Sequence, residues 1–175
     1  SGLVGSEMCI RDSTGSLGMG ISKSKGIIKA NKLKGMDSKV IVLTGDGELQ
    51  EGQIWESLNR VPQENLKELM IIVDNNKFQS DRSVKFTSNL GNIEKKFKSF
   101  GIETISCDGN NVDEFSKAFE SLESSKKPSA LIANTIKGHG VSFMHGDSLI
   151  EGEFYQYHSG CLLYTSDAAD DETSG

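Results

Sequence analysis

The sequence predicts an α/β fold: a parallel sheet with helices on both faces. Four apolar, β-branched runs recur about 30 residues apart, which is the length of a strand–helix–strand unit. Near-continuous apolar strands that alternate with helices are typical of a parallel sheet covered on both faces. The expected strands cover residues 40–43, 69–73, 102–105 and 130–136.

Helical periodicity fills the segments around these runs. Ile93, Phe97 and Phe100 fall on one helical face, because their spacing follows the helical repeat. Asn111 is a favourable N-cap, since its side chain can accept hydrogen bonds from the first free amides of the helix that follows. The expected helices cover residues 21–33, 50–58, 92–100 and 112–122.

Composition indicates one folded domain without a polyelectrolyte partner. The chain has 175 residues, of which 35% are hydrophobic and 25% charged, with a formal net charge of −6. Most of that charge lies in the terminal stretches, so neither nucleic acid nor a membrane is an expected partner. No apolar run approaches the roughly 20 residues that span a bilayer. Three widely spaced cysteines fit a cytoplasmic location.

The two ends of the chain differ from the region between them. Residues 1–13 and 161–175 show no clear periodicity, and the second stretch is a small acidic tail. Both resemble translated adaptor sequence, so we interpret them as non-native or disordered. The predicted domain then covers residues 14–160.

A carboxylate stands between two glycines at the end of the first predicted strand. Gly45-Asp46-Gly47 follows one apolar run, and Asn76 follows the next. Because ligands bind at the carboxyl ends of strands in such sheets, we expect these residues at one edge. Asp46, the amide of Asn76 and the backbone carbonyl of Phe78 offer the few hard oxygens with which Mg²⁺ usually binds beside phosphate.

The glycines fit a diphosphate at the same edge. Gly47 lacks a side chain, so a phosphate could approach its backbone, and both Gly45 and Gly47 could adopt positive φ. A helix that begins near Gln50 would direct its N-terminus toward the phosphate. Asp-Gly and Asn-Asn are also common loop pairs, so an ordinary βα turn is the alternative interpretation.

Four blocks in a fixed order carry a family resemblance. They are TGSLGMGIS (14–22), GDGELQEGQIWES (45–57), IIVDNNKFQSD (71–81) and TIKGHGVSFM (135–144). Gly-Asp-Gly followed by Asn one strand later resembles the thiamine diphosphate fingerprint. The surrounding residues resemble the transketolase family over residues 14–160, which implies an α/β sheet of the thiamine diphosphate-binding type.

The resemblance implies a role for each matching residue at the strand ends. Asp46, Asn76 and the carbonyl of Phe78 would hold Mg²⁺. Gly47 and Asn76 would contact the diphosphate of thiamine diphosphate.

Further roles follow from the same resemblance. Gly15, Ser16 and Leu17 would line the cofactor near its aminopyrimidine. Glu51 matches a glutamate that links two active sites across the family's subunit interface. His158 matches a histidine near the diphosphate and the donor sugar, and would be the catalytic residue. This chain has Tyr-His-Ser-Gly there, whereas the family often has Trp-His-Gly.

The implied activity is that of a transketolase of the pentose phosphate pathway. Such a transferase moves a two-carbon ketol unit from a ketose to an aldose, with sugar phosphates as substrates. The family also supplies a pyrimidine-binding carboxyl-terminal domain or subunit, and assembles as a dimer of such pairs. Because no second domain fits in 175 residues, we expect a truncated chain that is inactive alone.

Three alternatives remain open from the sequence. Deoxyxylulose-phosphate synthase shares the cofactor-binding halves, and the first component of 2-oxoacid dehydrogenases has similar residues after its Gly-Asp-Gly. A non-catalytic assembly subunit could keep the same fold, although the intact Asp46 and Asn76 argue against that role.

Overall fold

A parallel sheet forms the centre of the fold, as predicted. The computed structural model describes residues 15–80, 82–142, 144 and 155. In chain order the strands are β1 (Val40–Gly45), β2 (Leu69–Asn75), β3 (Phe78–Gln79), β4 (Arg82–Ser83), β5 (Glu103–Asp108) and β6 (Ser129–Asn134). The main sheet has the order β1-β2-β6-β5, and its adjacent strands are all parallel.

The strand boundaries differ from prediction mainly at the carboxyl edge. β1 and β2 continue into their polar ends, whereas β6 stops at Asn134, before the predicted end at residue 136. Thr135 lies just beyond the strand, and its hydroxyl donates to the side chain of Asp74. The antiparallel hairpin of β3 and β4 was not predicted, because strands of two residues carry no periodicity.

The helices flank the sheet, and all but the short unpredicted helix Val84–Thr87 lie close to their predicted positions. Asn111 caps the last of them as expected, since its Oδ1 accepts from the amides of Asp113 at 3.1 Å and Glu114 at 3.2 Å. None of the helices in the described part of the chain is long and apolar enough to cross a bilayer. They are α1 (Gly20–Leu33), α2 (Gly52–Leu58), α3 (Val84–Thr87), α4 (Ile93–Ser99) and α5 (Val112–Glu123).

One face of the sheet packs against α1, α2 and α4. Alternate residues of β2 point toward this layer, and Leu69, Ile71 and Val73 are buried in it. Helix α1 approaches β1 closely, because a Cβ at Gly20 would lie 2.9 Å from the side chain of Val42. The larger of the two hydrophobic clusters is therefore built between this face and these helices.

The opposite face is covered by α5 only in part. Met70 and Leu131 pack with Leu122 of α5 in a second, smaller cluster. On β1, however, Ile41 is exposed and the side chain of Leu43 is 72% exposed. The prediction of helices on both faces is confirmed for the centre of the sheet. In the described part of the chain, no helix covers this face of β1, because α5 lies across β5 and β6.

Phe97 of α4 offers a direct test of the larger cluster. Its ring is fully buried and lies 5.3 Å from the ring of Trp55. We expect Phe97→Ala to lower the free energy of unfolding by about 3–5 kcal/mol, through lost burial and a residual cavity. Urea denaturation measures this change.

The matched control is Phe86→Ala, because the side chain of Phe86 is 72% exposed. We expect that variant to stay within about 0.5 kcal/mol of the unsubstituted chain. Equal losses in the two variants would contradict the packing described for α4.

Candidate cofactor and metal site

Three loops meet at the carboxyl edge of the sheet. The backbone amide of Asp46, after β1, donates to the carbonyl of Asp74 in β2 at 3.0 Å. The hydroxyl of Thr135, after β6, donates to the side chain of the same Asp74. Between β2 and β6, Asn75 donates to Asn134 at 2.8 Å. The structure thus brings together the two strand ends that the sequence predicted at one edge, and the end of β6 joins them.

The carboxylate of Asp46 joins the first loop to the second. Its side chain accepts from the amide of Gly47 at 2.7 Å and from the amide of Lys77 at 2.6 Å. The residue is only 1% exposed. Burial raises the pKa of Asp46 to about 6, and the two amide hydrogen bonds offset part of that effect. Because Lys77 lies between Asn76 and Phe78, its bond brings the carboxylate next to the other two predicted metal ligands.

The amide side chain of Asn76 is held in one orientation. Its nitrogen donates to the carboxylate of Asp74 at 3.0 Å, and its oxygen accepts from the backbone amide of Phe78 at 2.9 Å. An amide oxygen has two lone pairs, so one remains for a further partner. The oxygen of Asn76 is therefore positioned on the Phe78 side of the loop.

The backbone carbonyl of Phe78 points away from β4. Residues opposite each other in an antiparallel pair alternate between exchanging and not exchanging backbone hydrogen bonds. Val84 donates to the carbonyl of Lys77 at 2.9 Å, so the adjacent pair, Phe78 and Ser83, is of the second kind. The amide of Phe78 donates to Asn76 instead. Its carbonyl points to the same side of the strand as that amide.

This donor set fits a small hard cation. A buried carboxylate, an amide oxygen and a backbone carbonyl are oxygen ligands of the kind that hold Mg²⁺ beside phosphate and water. Within the described residues, no three side chains of the types His, Cys, Asp and Glu cluster as a metal-binding group. A fit to Mg²⁺ thus rests on Asp46, Asn76 and Phe78 together with oxygens that a ligand would bring.

The absence of a side chain at Gly47 has a packing role that the sequence did not indicate. A Cβ on Gly47 would lie 2.5 Å from the Cβ of Gln79, so the absent side chain lets the two loops pack together. Neither Gly45 nor Gly47, which could have adopted positive φ, does so. Left-handed backbone occurs instead in the second loop, at Lys77 with φ 71° and at Ser80 with φ 49°.

Gln79 also leaves a polar atom without a partner beside Gly47. Its side-chain oxygen is buried and accepts no hydrogen bond within the part of the chain that the structure describes. Buried acceptors are nearly always paired in folded proteins. An unpaired acceptor next to the candidate site fits a bound group with a donor at this place.

The loop of Gly15, Ser16 and Leu17 lies exposed next to the first strand end. It is followed by Gly18, whose amide donates to Oε1 of Glu48 at 2.8 Å. Glu48 was not among the predicted site residues, although it follows Gly-Asp-Gly directly in the sequence.

Glu51 and His158 complete the set of predicted residues. Glu51 is exposed, and its Cβ would lie 2.9 Å from a Cβ on Gly18, so it flanks the same loop. Its role between subunits stays a prediction. His158, the predicted catalytic residue, lies outside the described residues.

Similarity to known proteins assigns the chain and its fold to a class. Residues 4–157 match the sequence profile of the family described as "Transketolase, thiamine diphosphate binding domain". The chain belongs to this family.

Individual relatives agree with the family match. The chain is 41% identical over 133 residues to an apulose-4-phosphate transketolase subunit from Actinobacillus succinogenes, and the match covers 76% of this chain and 48% of that protein. It is 34% identical over 130 residues to human transketolase, covering 74% of this chain and 20% of that protein. The chain thus spans about half of the first relative's length, and a smaller part of the second.

A solved structure shows the same fold. The crystal structure of transketolase from Campylobacter jejuni superposes with a TM-score of 0.70 at 31% identity, over 76% of this chain and 22% of that chain. The central sheet and its helices are thus those of a transketolase.

The contact between Gly47 and Gln79 can be tested by adding one methyl group. We expect Gly47→Ala to lower the free energy of unfolding by about 1–3 kcal/mol, because overpacking forces the two loops apart. Gly45→Ala is the matched control, since a Cβ there would have no neighbour within 4 Å. Urea denaturation of both variants provides the comparison.

A double variant tests whether the stability lost in Gly47→Ala comes from contact with Gln79. Adding Gln79→Gly to Gly47→Ala removes the Cβ that the new methyl group would meet, so we expect part of the lost stability to return. Additive losses in the double variant would show that the two positions do not touch.

The raised pKa of Asp46 predicts how stability depends on pH. The carboxyl titrates at about 6 in the folded chain, against an ordinary value of 3.8. Between these values the folded chain binds more protons than the unfolded chain, so stability falls as pH rises. The loss of stability caused by burying the Asp46 carboxylate is absent below pH 3.8 and fully present above about pH 6. We expect it to reach about 3 kcal/mol.

The measurement is the difference in unfolding free energy between the unsubstituted chain and Asp46→Asn, taken from pH 4 to pH 8. Asparagine does not titrate, and the other titratable groups are the same in both chains. Their contributions cancel, so the difference reports on Asp46. A difference that stays constant with pH would mean that Asp46 is not destabilised by its burial.

Proposed function

We propose that this chain is the diphosphate- and Mg²⁺-binding part of a transketolase, a transferase that moves two-carbon ketol units from a ketose to an aldose. The observation that carries the proposal is the bond from the amide of Lys77 to Asp46, which brings a buried carboxylate next to Asn76 and Phe78. The family match supports thiamine diphosphate as the cofactor.

The residues of the strand ends have distinct tasks in this proposal. Asp46, Asn76 and the carbonyl of Phe78 would hold Mg²⁺, and Gly47 and Asn76 would contact the diphosphate. When bound, thiamine diphosphate supplies the carbon centre that accepts the two-carbon unit of the ketose. The task of the chain is to fix the anionic end of the cofactor.

The remaining predicted residues act farther from the metal. Gly15, Ser16 and Leu17 line the aminopyrimidine, and Glu51 contributes to the link between two active sites. His158 contacts the diphosphate and the donor sugar. These roles rest on the match of the sequence blocks to the family.

The chain requires a pyrimidine-binding partner in this proposal. The relatives from Actinobacillus succinogenes and Clostridium are named as transketolase subunits, which supports a separate partner chain over a fused domain. Two such pairs would form a dimer in the cytoplasm. The substrates are ketose and aldose phosphates of the kind that the pentose phosphate pathway uses.

Binding of thiamine diphosphate with Mg²⁺ tests the anchoring site. Isothermal titration of the chain should show binding that needs Mg²⁺. We expect Asp46→Ala to weaken it by about a hundredfold, because even residues that only support metal ligands change affinity by tenfold to a hundredfold. Asp113→Asn, an exposed carboxylate at the start of α5, is the control and should bind normally.

Activity separates the proposal from the other thiamine diphosphate enzymes. The chain is combined with the pyrimidine-binding half of a two-subunit transketolase and given either a ketose donor or pyruvate. Ketol transfer that Asp46→Ala abolishes supports the proposal. Use of pyruvate alone would favour a synthase or dehydrogenase component, and equal activity in Asp46→Ala would favour a non-catalytic role.

A further inference from the structure

Glu48 connects two parts of the candidate site through one carboxylate. It lies in the short 3₁₀ helix Gly47–Gln50 that follows Asp46. Its Oε1 accepts from the amide of Gly18 at 2.8 Å, and its Oε2 accepts from the hydroxyl of Thr44 at 2.7 Å. The two carboxylate oxygens of Glu48 therefore accept hydrogen bonds from two different segments of the chain.

The two partners of Glu48 are themselves fixed. Thr44 is buried near the end of β1. Gly18 is buried with φ 81°, and a Cβ there would lie 2.9 Å from Glu51. A hydrogen bond from an amide to a carboxylate is stronger than one between neutral groups. Glu48 thus holds Gly18 at a set position relative to β1.

The loop before Gly18 depends on this connection. Gly15, Ser16 and Leu17 are exposed, and Met19, the N-cap of α1, makes no side-chain capping bond. The bond between Gly18 and Glu48 is therefore one contact that sets the position of this loop relative to Asp46.

We infer that Glu48 is a positioning residue, which fixes the loop 15–18 against the Asp46 turn so that the ring portion of thiamine diphosphate can bind between them. This inference rests on the proposed function, because the role of the loop comes from it. In the proposed function, the Asp46 turn would hold the diphosphate and Mg²⁺, and the loop 15–18 would contact the rings. Loss of the Glu48 bonds should therefore weaken binding of the rings and spare binding of the diphosphate.

Two ligands separate these contributions. Thiamine diphosphate carries both the rings and the anionic group, whereas inorganic diphosphate carries only the latter. With Mg²⁺ present, we expect Glu48→Ala to weaken thiamine diphosphate about tenfold, which corresponds to the loss of one charge-assisted hydrogen bond. Inorganic diphosphate should bind within about twofold of the unsubstituted chain. Asp46→Ala should weaken both ligands.

A conservative variant and a second site serve as controls. Glu48→Gln can accept from Gly18 through its oxygen and donate to Thr44 through its nitrogen, so it should restore most of the affinity for thiamine diphosphate. Thr44→Val removes the anchor in β1 without changing the Asp46 turn, and should weaken thiamine diphosphate in the same selective way.

Amide exchange of Gly18 reports on the connection without any ligand. We expect exchange to be about tenfold faster in Glu48→Ala than in the unsubstituted chain, with recovery in Glu48→Gln. Circular dichroism of each variant establishes that it is folded. If Glu48→Ala does not fold, the same binding and exchange measurements are made on Thr44→Val and Glu48→Gln.

The outcomes are distinct for the inference and for the proposed function. Equal weakening of both ligands in Glu48→Ala, or unchanged exchange at Gly18, would overturn the role of Glu48 while leaving the anchoring site intact. An unsubstituted chain that binds neither ligand with Mg²⁺ would refute the proposed function, and with it the role of Glu48 in binding the rings.

Discussion

The hydrogen bond from the backbone amide of Lys77 to the carboxylate of Asp46 holds the two central loops of the site together. A carboxylate that is 1% exposed is costly to keep ionised, and its pKa of about 6 reflects that cost. The amides of Lys77 and Gly47 offset part of it, but an amide carries only a partial charge. A divalent cation beside Asp46 would offset much more, so the burial that destabilises the carboxylate also favours metal binding.

The shape of the second loop depends on the same bond. Lys77 and Ser80 adopt left-handed backbone, which costs non-glycine residues roughly 1–2 kcal/mol each. At Lys77 this conformation is fixed from both sides, because its amide donates to Asp46 and its carbonyl accepts from Val84. The short hairpin that follows brings Phe78 and Gln79 back against the first loop. Strain of this kind persists where surrounding contacts over-determine the backbone, as they do here.

The predicted metal ligands lie within a single strand–helix–strand unit, from β1 to the hairpin after β2. Parallel pairing of these strands in register brings Gly45 opposite Asp74, so the two loops begin at the same level of the sheet. The third loop joins through Thr135 and Asp74. The edge is thus organised by a chain of side-chain and backbone bonds, and Glu48 extends it to the loop before α1.

The sequence alone determined the order of strands and helices, the family, and the polar residues at the strand ends, because apolar runs, N-caps and contiguous motifs are local signals. It did not indicate the contact between Gly47 and Gln79 and missed the hairpin, since Gln79 lies in a strand too short for periodicity. It also missed the partner of Glu48, an amide 30 residues away. Only the tertiary structure decided these contacts, because parallel packing selects which distant backbone groups meet a given side chain.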